Sequence, residues 1–161
     1  MTANAPLTRE SFRRLTAINA PKPVFELPDR LWTEEEWGRI QRGYGARDMD
    51  EKWNVFAEAD VVFMHRSWTG YGIYEASFAP IADGGRKIVS AVVETDEERY
   101  RSTGAEYDRL MMELIISAIV LGEPATELRA GLVELTARAS GQSGLPSGVV
   151  QHGVLGIRSG S

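Results

Sequence analysis

The chain has no cysteine. That single absence removes a disulfide framework, thiolate zinc sites and cysteine nucleophiles together. Histidine is nearly as scarce. His65 and His152 stand far apart with no supporting pattern, so neither a metal site nor a cofactor is expected. Asp48, Asp50 and Glu51 lack the glycine and terminal glutamate of a calcium loop, and read as turn formers and solubilising charge. There is no G-x-S-x-G, no G-x-x-x-x-G-K-[ST] and no G-x-G-x-x-G. Ser67 follows His65 on the same side of a strand, about 7 Å away by the strand repeat, too far for a direct proton relay. The most apolar run, residues 110–121, is broken by Glu113 and is too short for a bilayer, so no membrane partner is expected. Net charge is −5 with the basic residues scattered, which argues against duplex nucleic acid. The lack of a signal-peptide pattern and of cysteine points to the cytoplasm.

What remains is the composition of an ordinary globular protein, 43% hydrophobic and 25% charged, with 161 residues for one core. Residues 1–139 read as a single α+β domain. Residues 140–161 are rich in Gly and Ser and read as a tail, either flexible or docked on a neighbour. Thr8 suits the N-cap of a short helix through Ile18, and the prolines at 21, 23 and 28 then hold the chain extended. Thr33 and Glu36 form a capping box, with Trp32 and Trp37 as a hydrophobic staple, so residues 33–42 are predicted helical up to Gly43.

From Lys52 the hydrophobic period changes to 2. Strands are predicted at 52–58, 61–68, 71–79 and 87–94, with two-residue turns at Ala59-Asp60 and Thr69-Gly70. Asp96 caps a predicted helical segment. A second capping box, Thr103 and Glu106, starts a long helix over 105–121, and another follows over 125–139. The apolar breadth of 105–121 suits a helix lying across the sheet or a homodimer interface, and the tail is a second candidate for that contact. The predicted fold is α+β, a four-stranded antiparallel meander packed by N- and C-terminal helices.

Turn length fixes register, so the faces can be assigned. The predicted turns put Trp53 opposite Arg66, Phe56 opposite Phe63, and His65 opposite Tyr74. One face then holds Asn54, Phe56, Phe63, His65, Tyr74, Ala76 and Phe78. The other holds Trp53, Val55, Val62, Met64, Arg66, Trp68, Tyr71, Ile73 and Glu75. An arginine among aromatics stacks its guanidinium while offering a fork to phosphate or carboxylate. Arg66 is therefore the expected anchor for a nucleotide-like anion, with Trp53, Trp68 and Tyr71 as the stacking surface and Lys52 as a polar partner. The plainer alternative is a cross-strand Arg66–Glu75 pair that neutralises both charges. Glu75 and His65 are the candidate general acid–base residues, hydrolysis or transfer being the reaction class. A lone strand histidine also fits a core residue bonded to backbone.

The run Asp48-Met49-Asp50-Glu51-Lys52-Trp53, followed by His65-Arg66-Ser67-Trp68-Thr69-Gly70-Tyr71 and Ile73-Tyr74-Glu75, resembles a pattern in small uncharacterised bacterial proteins, M-D-[DE]-K-W before H-R-S-W-T-G-[YF]. The likeness covers residues 31–95. It implies an association with ADP-ribose-processing domains, and it brings no catalytic residues to carry over. The expected function is a small-molecule binding or processing domain for a nucleotide-like anion. The rival is a non-enzymatic regulatory protein that uses the same aromatic–arginine surface for a protein partner. Trp, Tyr and Arg are also what protein interfaces favour, so composition does not separate the two.

Overall fold

The computed structural model describes residues 5–102, 104–140, 155 and 156. The expected capping box forms at helix α1, Glu34–Arg42. The Glu36 N–H donates to Thr33 Oγ1 at 3.0 Å, and the Thr33 N–H donates to Glu36 Oε1 at 2.8 Å. Trp32 and Trp37 flank this turn at 1% and 3% exposure, and Gly43 ends the helix with φ +75°.

The sheet has five strands: β1 Pro21–Pro23, β2 Trp53–Glu58, β3 Val61–Arg66, β4 Gly72–Pro80 and β5 Arg86–Glu94, in the antiparallel order β1-β5-β4-β3-β2. Four were expected. The fifth, β1, is two prolines around Lys22, a segment with no period-2 pattern. Proline cannot donate to a ladder and is tolerated at a sheet edge, which is where β1 lies against β5.

The first hairpin follows its predicted register, Trp53 opposite Arg66 and Phe56 opposite Phe63. The second does not. The Arg66 N–H donates to Tyr71 O and the Gly70 N–H to Arg66 O, both at 2.9 Å, so the turn is the four residues 67–70. That moves the pairing by two positions. A bulge at Ile73 returns one, because His65 pairs with Gly72 while Met64 pairs with Tyr74. The net slip is a single residue, and with a side-chain period of 2 it reverses the face of β4. Tyr74 and Ala76 lie across from Met64 and Val62, whereas Glu75 lies opposite Phe63.

Helix α2, Ala105–Leu114, starts where expected and runs on as a π-helical segment, Ile115–Val120. Its N-cap is Gly104; Thr103, the expected capping residue, lies outside the described residues. Met111, Met112, Leu114, Ile115 and Ile116 are fully buried in the core that also holds Trp53, Val55, Met64 and Tyr74. The breadth of this helix is thus used within the chain. Helix α3, Thr126–Ser140, packs on α2 and buries Leu132. Arg30 ties α1 to the π segment, donating to Glu36, Ser117 and Glu123 while stacked 4.0 Å from the Trp32 ring centroid.

The opposite sheet face is covered by the N-terminal segment. Phe12 sits 5.7 Å from Phe56, and the Arg9 guanidinium lies over Phe56 and Phe63 at 5.1 and 5.2 Å. The predicted helix from Thr8 is only a 3-10 turn, Arg9–Ser11. Beyond it the chain is extended, because Thr16 bonds the backbone of Gly70 and Gly72 rather than its own preceding turn. The predicted helix after Asp96 is likewise a single turn. From the tail, Leu155 is fully buried and Gly156 bridges Glu51 of the same chain. Among the described residues no helix is long and apolar enough to cross a membrane.

Candidate functional site

Arg66 is the last residue of β3, and the turn after it is held tightly. Gly70 has φ +77°, and a side chain there would run into the Arg14 carbonyl. Trp53, across the ladder, is fully buried and lies under the Arg66 guanidinium, 4.9 Å from ring centroid to Cζ. Burial draws the Arg66 pKa below its ordinary value. The half-buried side chain lines a cleft of about 260 Å³ with Tyr100, Tyr107, Glu97, Glu98, Arg99 and Arg101.

A second hollow of about 330 Å³ shares Glu97, Tyr100 and Arg101 with the first and reaches Asp108. Tyr74 OH donates to Asp108 Oδ1 at 2.9 Å and meets Tyr100 OH at 2.8 Å. The Trp53 and Tyr74 rings stack at 6.3 Å, so arginine, tryptophan, tyrosine and carboxylate form one continuous layer. Burial raises the Asp108 pKa against the pull of its bonds to Ser102 and Tyr74, and burial also raises the Tyr74 and Tyr100 hydroxyls well above their usual range. Glu94 behaves oppositely. Burial alone would raise it, but the N–H groups of Asn19, Asp96 and Ala20, with Arg99 nearby, hold its carboxylate below the usual range.

The expected site residues separate into three groups. Arg66 and Trp53 are together, and Tyr71 is close to them through Arg99, whose guanidinium stacks 4.5 Å from the Tyr71 ring centroid and also lines the cleft. Lys52 and Trp68 form a separate pair, Nζ to ring centroid 4.1 Å, and Trp68 Nε1 donates to Met49 O at 3.0 Å. Trp68 belongs to a different cleft, with Arg13 and Arg14. His65 and Glu75 lie on the opposite sheet face. His65 Nδ1 is 2.9 Å from Gly70 O and its ring packs on Phe56; burial lowers its pKa, and it is 2% exposed. Glu75 has its pKa raised by burial beside Arg9 and Glu58. The cross-strand pair of Arg66 with Glu75 is therefore not formed, and neither is the facing of His65 with Tyr74.

Tyr100, Tyr107 and Asp108 were missed. They come from residues 97–108, where the sequence offers helix-start signals and no binding or catalytic motif; only the fold brings this segment to the end of β3. Among the described residues no cluster of three or more His, Asp or Glu is arranged to hold a metal ion.

No protein-family model matches the chain, and neither a curated protein nor a solved structure matches it.

Proposed function

We propose that the protein binds a small nucleotide-like anion, of the ADP-ribose-related class, in the cleft at Arg66. One observation carries this reading. Arg66, stacked on Trp53, lines a concave cleft with aromatic walls, Tyr100 and Tyr107. Arginine stacked on an aromatic ring is a recurrent element of phosphate and carboxylate recognition, and the tyrosine walls suit a flat ring. The two adjoining hollows share part of their lining and only together reach the size usual for small-ligand sites. If the site processes its ligand, Asp108 and Tyr100 are the proton-carrying groups within its reach, in place of His65 and Glu75. The protein-partner alternative on the same surface has less support, since Trp53 is fully buried and Tyr71 lies half-buried beneath Arg99.

Thermal unfolding with nucleotides and ADP-ribose tests this. A ligand at a hundred times its Kd stabilises the native state by about 2.7 kcal/mol. The wild type should melt higher with at least one of these ligands, and Arg66→Ala should lose that increase. No shift with any of them, or an equal shift in the variant, would sink the reading.

A further inference from the structure

We infer a second ligand site, for an anion carrying a flat aromatic ring, in the cleft between the N-terminal segment and the turn after β3. The cleft holds about 450 Å³, and its chemistry comes from Arg13, Arg14, Asn54, Ser67 and Trp68. It is larger than the Arg66 cleft and differs from it in charge. No acidic residue lines it, in a chain whose net charge is −5. Arg13 and Arg14 are exposed and form no ion pair among the described residues. Two guanidinium groups with no acid between them favour a phosphate or carboxylate.

Trp68 supplies the aromatic part. It is 55% exposed, whereas Trp32, Trp37 and Trp53 are 1%, 3% and 0% exposed. A large exposed indole costs solubility, yet this one is fixed in orientation by its Nε1 bond to Met49 O and by Lys52 Nζ over the ring. The lysine itself does not line the cleft. Asn54 accepts the Ala46 N–H with Oδ1 at 2.7 Å, which fixes its amide plane and leaves Nδ2 as a donor with no partner among the described residues. An oriented ring, a fixed amide donor and two uncompensated arginines suit a ligand with a ring at one end and an anionic group at the other. This site stands independently of the Arg66 cleft, from which the β3–β4 turn divides it.

Tryptophan fluorescence reads the site directly, because Trp68 is the exposed indole. Adenosine monophosphate and phenyl phosphate serve as probes, with adenosine and inorganic phosphate as half-ligands. At least one aromatic phosphate should quench the emission saturably, with each half-ligand at least tenfold weaker. Trp68→Phe should abolish the part of that quenching that depends on Arg13 and Arg14. The double variant Arg13→Ala/Arg14→Ala should weaken binding at least tenfold while its melting temperature stays unchanged, and Arg13→Lys/Arg14→Lys should recover part of it. Absence of saturable quenching by both aromatic phosphates would overturn the inference. So would quenching that is unchanged in Trp68→Phe, or a midpoint indifferent to the loss of both arginines.

Discussion

Arg66 and the pair Arg13–Arg14 present the same chemical group in opposite settings. Arg66 is half-buried, stacked on a fully buried tryptophan, and shares its cleft with Glu97 and Glu98. Arg13 and Arg14 are exposed beside an exposed tryptophan in an acid-free cleft. Desolvation makes each interaction of Arg66 stronger and its geometry fixed, at the cost of a site built into the core. The surface pair attracts anions over a longer range, and salt screens it more. Position relative to the sheet, rather than residue type, separates the two settings.

The sharpest way to separate them is to remove each supporting tryptophan. Trp53→Ala should cost about 3–5 kcal/mol of stability, the range for a large buried side chain, in denaturant unfolding. Trp68→Phe should change stability by less than about 0.5 kcal/mol, as surface substitutions do. Similar losses at both positions would end the distinction.

A smaller effect tests the buried layer around Arg66. Burial places the folded pKa of Asp108 above its unfolded value, so the native state holds a proton that the unfolded chain has released. Stability from this group is present below the unfolded pKa and is lost as pH rises through the folded one. Asp108→Asn keeps an acceptor for Tyr74 and cannot titrate. Wild type should therefore lose stability relative to the variant as pH rises from strongly acidic to neutral, measured by urea unfolding at several pH values. Glu94, with its pKa held down, works in the reverse direction and loses its contribution as pH falls. A difference between wild type and Asp108→Asn that does not vary with pH would remove Asp108 from the account.

The smallest expected effect is on the far face. Arg9 donates to both oxygens of Glu58 at 2.9 Å, and the two side chains are 44% and 45% exposed. Arg9→Ala should cost about 0.5–1 kcal/mol, an exposed ion pair plus a weak cation–aromatic contact. A loss of several kcal/mol would mean that the N-terminal cover is as integral as the helix layer.

Local signals were the legible part of this sequence. The capping box of α1 and the alternation of β2, β3 and β5 depend on neighbours a few residues away, and they form where the residues say. Register depended on a turn. Thr69-Gly70 has the composition of a two-residue loop, yet Gly70 spends its left-handed conformation closing a four-residue one against Arg14. The bulge at Ile73 carries no marker of its own, so Glu75 and Tyr74 were exchanged between faces. Arg66 and Trp53 lie together because the first hairpin has the register its two-residue turn predicts. Tyr100, Tyr107 and Asp108 join them only through contacts distant in sequence.

The bulge at Ile73 also constrains how this chain can vary in length. Upstream, the polar loop before β2 can gain or lose residues singly without changing what β2 presents to the core. Between Ser67 and Ile73 the count is restricted to even steps. One residue gained or lost there would send Tyr74, Ala76 and Phe78 outward unless a second change restored the parity. Lineages carrying this sheet should therefore vary freely in its loops and hold the spacing from Arg66 to Tyr74 fixed, or change it in twos.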